Sequence, residues 1–145
     1  MRRRQFLPVF LIGFARAAWS ATSEATGTSI TGTLVEPKSG DEKTPSAIRL
    51  PDGRNAVLSG DDETEKVVHD PRLAGVQLEA VGHFTTPGQF AVDPRFEKNL
   101  FVHKDGKRLI ITYWCDVCSI RTYAPGVCVC CQKWTDLDLR DPNQE

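Results

Sequence analysis

Cysteine is missing from the first 114 residues of this 145-residue chain, which also has only one methionine, two tyrosines and three histidines. The signatures of several enzyme classes are missing too. There is no nucleophile elbow of the Gly-x-Ser-x-Gly type, no phosphate-cradling glycine loop, no haem attachment motif and no His-Glu-x-x-His helix. The familiar hydrolase, nucleotide-binding, haem and metallopeptidase patterns are thereby excluded. Internal repeats and low-complexity tracts are also lacking. The longest apolar run, Phe6 to Phe14, is interrupted by Pro8 and Gly13 and falls well short of the roughly 20 residues a membrane-spanning helix needs. No transmembrane segment is expected in the mature chain.

At 40% hydrophobic and 26% charged residues, the composition is that of an ordinary globular protein, with room for one compact domain and a small appendage. Residues 1 to 20 read as a removable leader. Arg3-Arg4-Gln5-Phe6-Leu7 stands ahead of the apolar run, and Ala18-Trp19-Ser20 offers small residues for cleavage before Ala21, with Ala15-Arg16-Ala17 as a second choice. No cysteine is near, which excludes a lipoprotein anchor. The motif resembles the twin-arginine export signal, although Arg2 and Pro8 depart from its usual flanks. That resemblance implies a periplasmic or otherwise exported protein that crosses the membrane already folded. Losing the leader removes four arginines and no acid, which takes the net charge from −1 to −5. An acidic chain is a poor partner for phosphate, so nucleic-acid binding is disfavoured.

Residues 21–28 are small and polar and read as a flexible N-terminus. The stretch 29–93 then reads as strand, strand, strand, helix, strand, strand. Ile30, Gly32 and Leu34 alternate with threonines, with a glycine where the strand can bend. Ser46–Leu50 and Arg54–Leu58 flank a Pro51-Asp52-Gly53 turn. Asp61 and its neighbouring acids suit a helix start, with Val67, Val68 and Leu73 facing inward, and Pro71 stops that helix. Val76–His83 and Gln89–Val92 are strands about Thr86-Pro87-Gly88. This order, with a glycine in the first strand and Leu73 to Gly82 leading into the fourth, resembles the OB-fold, a five-stranded barrel with its helix between the third and fourth strands. The fold class expected is mainly β: a small OB-like five-stranded barrel with one short helix, followed by a β-hairpin and four-cysteine knuckle module over 98–140.

The hairpin is signalled by Asp105-Gly106 between two apolar alternating runs. Its second strand runs into Cys115-Asp116-Val117-Cys118, and after nine intervening residues comes Cys128-Val129-Cys130-Cys131. Two Cys-x-x-Cys turns supply the four soft ligands that tetrahedral zinc prefers, so Cys115, Cys118, Cys128 and Cys131 are the expected metal ligands. The region resembles a zinc ribbon. It departs from that pattern where Ser119 and Gln132 replace the usual glycine, and in Cys130, a fifth thiol that could substitute for a neighbouring ligand or suit Cu(I). Two alternatives stay open: two disulfides plus one unpaired thiol, or a redox-active dithiol, although a redox Cys-x-x-Cys needs a helix N-terminus and strand residues precede this pair. Tyr113, Trp114, Tyr123 and Trp134 are expected to furnish the module's core. His69, His83 and His103 share no short spacing. The functional expectation is an exported, non-enzymatic binding or assembly module with an unnamed protein or small-ligand partner. A periplasmic thiol-redox or copper-handling protein using Cys128, Cys130 and Cys131 is the alternative.

Overall fold

A computed structural model describes residues 27–35 and 45–144. The leader, most of the polar segment after it, and the loop through Pro37 and Gly40 lie outside the described residues. Alternation is the local cause of the first strand: in β1 (Thr28–Val35), Ile30, Gly32 and Leu34 face inward while the threonines between them face out. Pro51-Asp52-Gly53, with Gly53 at φ 85°, turns β2 (Ala47–Arg49) into β3 (Asn55–Ser59). Asp61 then caps α1 (Asp62–Val68) by accepting a hydrogen bond from the Thr64 amide at 2.8 Å, with Asp62, Glu63 and Glu65 at the helix's positive end. Asp70 caps the following 3₁₀ turn (Pro71–Leu73), which leads into β4 (Gln77–Thr86) and β5 (Gln89–Val92).

These five strands close into a barrel in the order β1-β2-β3-β5-β4, with β4 returning to pair with β1. The β3–β5 pair is parallel and the other pairs are antiparallel. This is the OB-like architecture, with α1 between β3 and β4 as expected. Closure places a specific demand on Gly32. β1 pairs with β4 up to Thr33 and with β2 from Thr33 onward. A Cβ on Gly32 would collide with the Arg49 carbonyl oxygen on β2, so the bend needs a residue without a side chain. Inside lie Leu34, Ile48, Leu58, Leu78 and Phe90, while α1 seals one end with Val67 and Val68.

The chain continues through a single helical turn, α2 (Phe96–Asn99), into β6 (Leu100–Lys104) and β7 (Lys107–Cys115), joined at Asp105-Gly106 with both residues at positive φ. This hairpin extends the barrel's own sheet. β6 pairs with β4 from Gln77↔His103 to Ala80↔Leu100, and Leu100, Val102, Ile111 and Tyr113 join the barrel core. On the outside, Glu79 of β4 takes a hydrogen bond with His103 at 2.6 Å and two from Arg108, whose guanidinium lies 3.4 Å from the Phe101 ring centre. β7 is flanked by β8 (Ile120–Thr122) and β9 (Asp136–Arg140). No described helix is long and apolar enough to cross a membrane.

Candidate metal centre

Each cysteine pair sits on a turn of the same construction. Cys115 ends β7 and pairs across the turn with Ile120, five residues on, and Cys128 donates its amide to the Lys133 carbonyl, also five residues on, at 2.7 Å. The fourth residue after each leading cysteine is left-handed, Ser119 at φ 52° and Gln132 at φ 60°. These are the two positions where glycine is usual in zinc ribbons. The sequence departs from that pattern in residue type, while the backbone adopts the conformation that glycine favours. In both turns the backbone amides two and three residues ahead pull the leading thiol toward ionisation: Val117 and Cys118 at Cys115, Cys130 and Cys131 at Cys128.

The two turns face each other. The sulfurs of Cys115, Cys118, Cys128 and Cys131 lie within 4.8 Å of one another, with Cys115 and Cys131 at 3.5 Å. A zinc–thiolate bond of about 2.3 Å in tetrahedral geometry separates neighbouring sulfurs by about 3.8 Å, so the spacing fits such an ion. All five cysteines are free thiols. Cys115 and Cys128 are buried, Cys118 and Cys131 half-buried, and Cys130 exposed outside the four-sulfur group.

The electrostatics favour a ligand set that sheds protons to bind. The Cys131 and Cys130 amides lower the Cys128 thiol to about 7. The Cys118 thiol is raised, first by the neighbouring Cys130 thiol and then by burial. At Cys115 the Cys118 amide pulls downward, but burial and the thiols of Cys131 and Cys128 outweigh it and raise the group. One site that is readily ionised, backed by thiols that resist crowding negative charge, is the pattern a soft cation resolves by neutralising all four. Four cysteines are thus positioned to hold a metal ion. Neither pair lies at a helix N-terminus, the feature that lowers a redox-active thiol in thioredoxin-type sites.

No known family, curated protein or solved structure matches this chain.

One sequence-based expectation needs correction. Tyr113 is fully buried, but in the barrel core, and Trp134 and Tyr123 are 73% and 45% exposed. Four sulfurs fill the centre of so small a unit and leave no volume for large rings. The three histidines are held in separate contacts: His69 by Glu65, His83 beside Asp93 at 3.5 Å, and His103 by Glu79. Sequence reasoning missed Arg72, which ties the cysteine unit to the barrel. Its guanidinium forks onto Asp70, donates to the Thr135 carbonyl at 2.8 Å and lies over the Tyr113 ring. Burial pushes the Asp70 carboxyl up, yet its bonds from Arg72 prevail and hold it below the ordinary value. The Asp-Pro-Arg run at 70–72 carried the one available signal, an acid at a cap position with a cation two residues on.

Proposed function

We propose that this chain is an exported, non-enzymatic binding or assembly module: an OB-like barrel joined to a C-terminal β-hairpin and knuckle unit that is held together by a structural zinc ion. One observation carries the reading: two Cys-x-x-Cys turns, each with a left-handed residue four positions after its leading cysteine, bring four sulfurs within 4.8 Å of one another. Zinc is favoured because four thiolates in a closed, half-buried set leave no open position for substrate, the arrangement of structural rather than catalytic sites. Export rests on the leader at residues 1–20, and folded export through the twin-arginine route would let the thiols load metal in the reducing cytoplasm before meeting an oxidising compartment.

The test is metal analysis of the purified chain together with mass spectrometry under non-reducing conditions. One zinc per chain and alkylatable thiols after chelation support the proposal, and two disulfides without metal overturn it. Changing Arg3 and Arg4 to lysine is expected to keep the precursor in the cytoplasm. Cys130 favours a second reading, thiol-redox or copper handling through Cys128, Cys130 and Cys131, because it places an exposed thiol beside the four. Stoichiometric Cu(I) uptake that needs Cys130 and displaces zinc would select it.

A further inference from the structure

A tetrahedral ion takes four thiolates, and this site has a fifth sulfur at its rim. Cys130 lies in the second turn, between Cys128 and Cys131, and is exposed, as is its neighbour Val129 at 81%. Its thiol stands beside that of Cys118 in the facing turn, where it is the strongest single influence on the Cys118 side chain. Cys118 is half-buried, whereas Cys115 and Cys128 are enclosed, so the two sulfurs meet on the open side of the site. With the four ligands held by an ion, Cys130 is the one sulfur that is both metal-free and open to water. Small oxidants attack such a thiol first, and a second thiol within reach diverts the product into a disulfide before it oxidises further. Pairing with Cys131 is unfavourable, because consecutive Cα atoms stand about 3.8 Å apart and an unstrained disulfide needs about 4.4–6.8 Å. Cys118 is the partner that the fold supplies.

We propose that Cys130 is an oxidation site that controls metal release: a hydroperoxide oxidises it, and Cys118 then leaves the metal to form a Cys118–Cys130 disulfide. In the first step the Cys130 sulfur attacks a hydroperoxide oxygen and the O–O bond breaks. The thiol proton ends on the departing oxygen, giving Cys130 sulfenic acid and an alcohol, or water when the oxidant is hydrogen peroxide. The Cys118 sulfur then displaces the sulfenic oxygen, which leaves as hydroxide and takes a proton from solvent to become water. Two electrons pass from the pair of sulfurs to the peroxide. The site drops from four thiolates to three, an open set that holds zinc less firmly. The inference rests on the metal reading and gives Cys130 a part in it other than that of a ligand. Because sulfur takes the place of an apolar core at the ribbon tip, loss of one ligand loosens the whole unit.

The experiment treats the zinc-loaded chain with one equivalent of hydrogen peroxide, follows zinc with a chromogenic chelator and maps cross-links by peptide mass spectrometry. Zinc release is expected together with a linked pair of peptides carrying Cys118 and Cys130, lighter by two hydrogens, and dithiothreitol should reverse both. Cys130→Ser and Cys130→Ala should keep full zinc content and release it about tenfold more slowly under peroxide. Release from both variants at the rate of the unsubstituted chain, a cross-link that omits Cys130, or sulfinic acid at Cys130 with zinc retained would each overturn the proposal. Variants that lack zinc before any oxidant is added would make Cys130 a ligand and overturn it as well. An unsubstituted chain that purifies with two disulfides and no zinc is the separate signature of failure of the metal reading.

Discussion

In the barrel, Leu58, Leu78, Phe90 and Leu100 are sealed in a common core, whereas beyond Cys115 the large apolar side chains Val117, Tyr123, Val127, Val129 and Trp134 stand largely in water. The two regions share a sheet through β7, yet they solve the stability problem differently. Burial of apolar area, worth about 25 cal/mol per Å², accounts for the barrel. The ribbon tip has too little inward surface for that, and its buried centre is sulfur. A unit of this kind is ordinarily stabilised by a metal or cross-links. The lesson is that a continuous sheet need not be one cooperative unit: hydrogen bonds cross from β4 to β9 while the source of stability changes along the way.

The largest expected effect divides the two. Removing metal with a strong chelator, or replacing Cys128 with Ser, should expose the amides of residues 115–136 to rapid hydrogen exchange while those of β1 to β5 keep their protection. Simultaneous loss of protection in both regions would mean that they fold as one.

Leu78→Ala reverses the experiment. Leu78 is fully buried, and its truncation should cost about 3–4 kcal/mol in denaturant unfolding of the barrel without changing zinc stoichiometry. Arg72→Ala tests the link between the regions. It strands the buried Asp70 carboxylate, whose side chain is 2% exposed, and frees the Thr135 carbonyl. A cost of about 2–3 kcal/mol is expected, less than for a fully enclosed pair because Arg72 itself reaches solvent. The same clamp has a pH signature. Since the folded-state value of Asp70 is depressed, its contribution is complete above the ordinary aspartate value of about 4 and is lost as pH falls through the depressed one. Arg72→Ala should flatten that part of the acid-unfolding curve.

The smallest effect sharpens the comparison from the ribbon side. Ser119 and Gln132 hold the left-handed conformation at a cost that glycine avoids. Ser119→Gly and Gln132→Gly are each expected to stabilise the metal-loaded ribbon by about 0.5–1 kcal/mol, read as tighter zinc retention against a competing chelator. Weaker retention in both would argue against the knuckle geometry.

Much of the barrel was legible in sequence because its signals are local. Alternation marks β1 and β4, Pro51-Asp52-Gly53 and Asp105-Gly106 mark turns, and Asp61 marks a helix start, each through the backbone of its own few residues. The spacing of the cysteines was legible for the same reason, since a Cys-x-x-Cys turn is built within itself. The left-handed state of Ser119 and Gln132 was masked, because neither residue prefers it and only the closure of the turn imposes it. The position of Trp134 was misjudged because aromatic residues near a small metal unit ordinarily serve as its core, and here the four sulfurs occupy that place.

By itself, then, the sequence determined the order of the elements, their turns and the four thiols that belong together, all of which follow from short-range sterics and periodicity. Tertiary structure alone decided that β4 joins the hairpin to the barrel, that Gly32 must yield to the Arg49 carbonyl, and that Arg72 reaches Thr135 across 63 residues. It also left Cys130 outside the four-sulfur group, beside Cys118. Such outcomes depend on which distant surfaces meet when the chain closes, and no local preference encodes them.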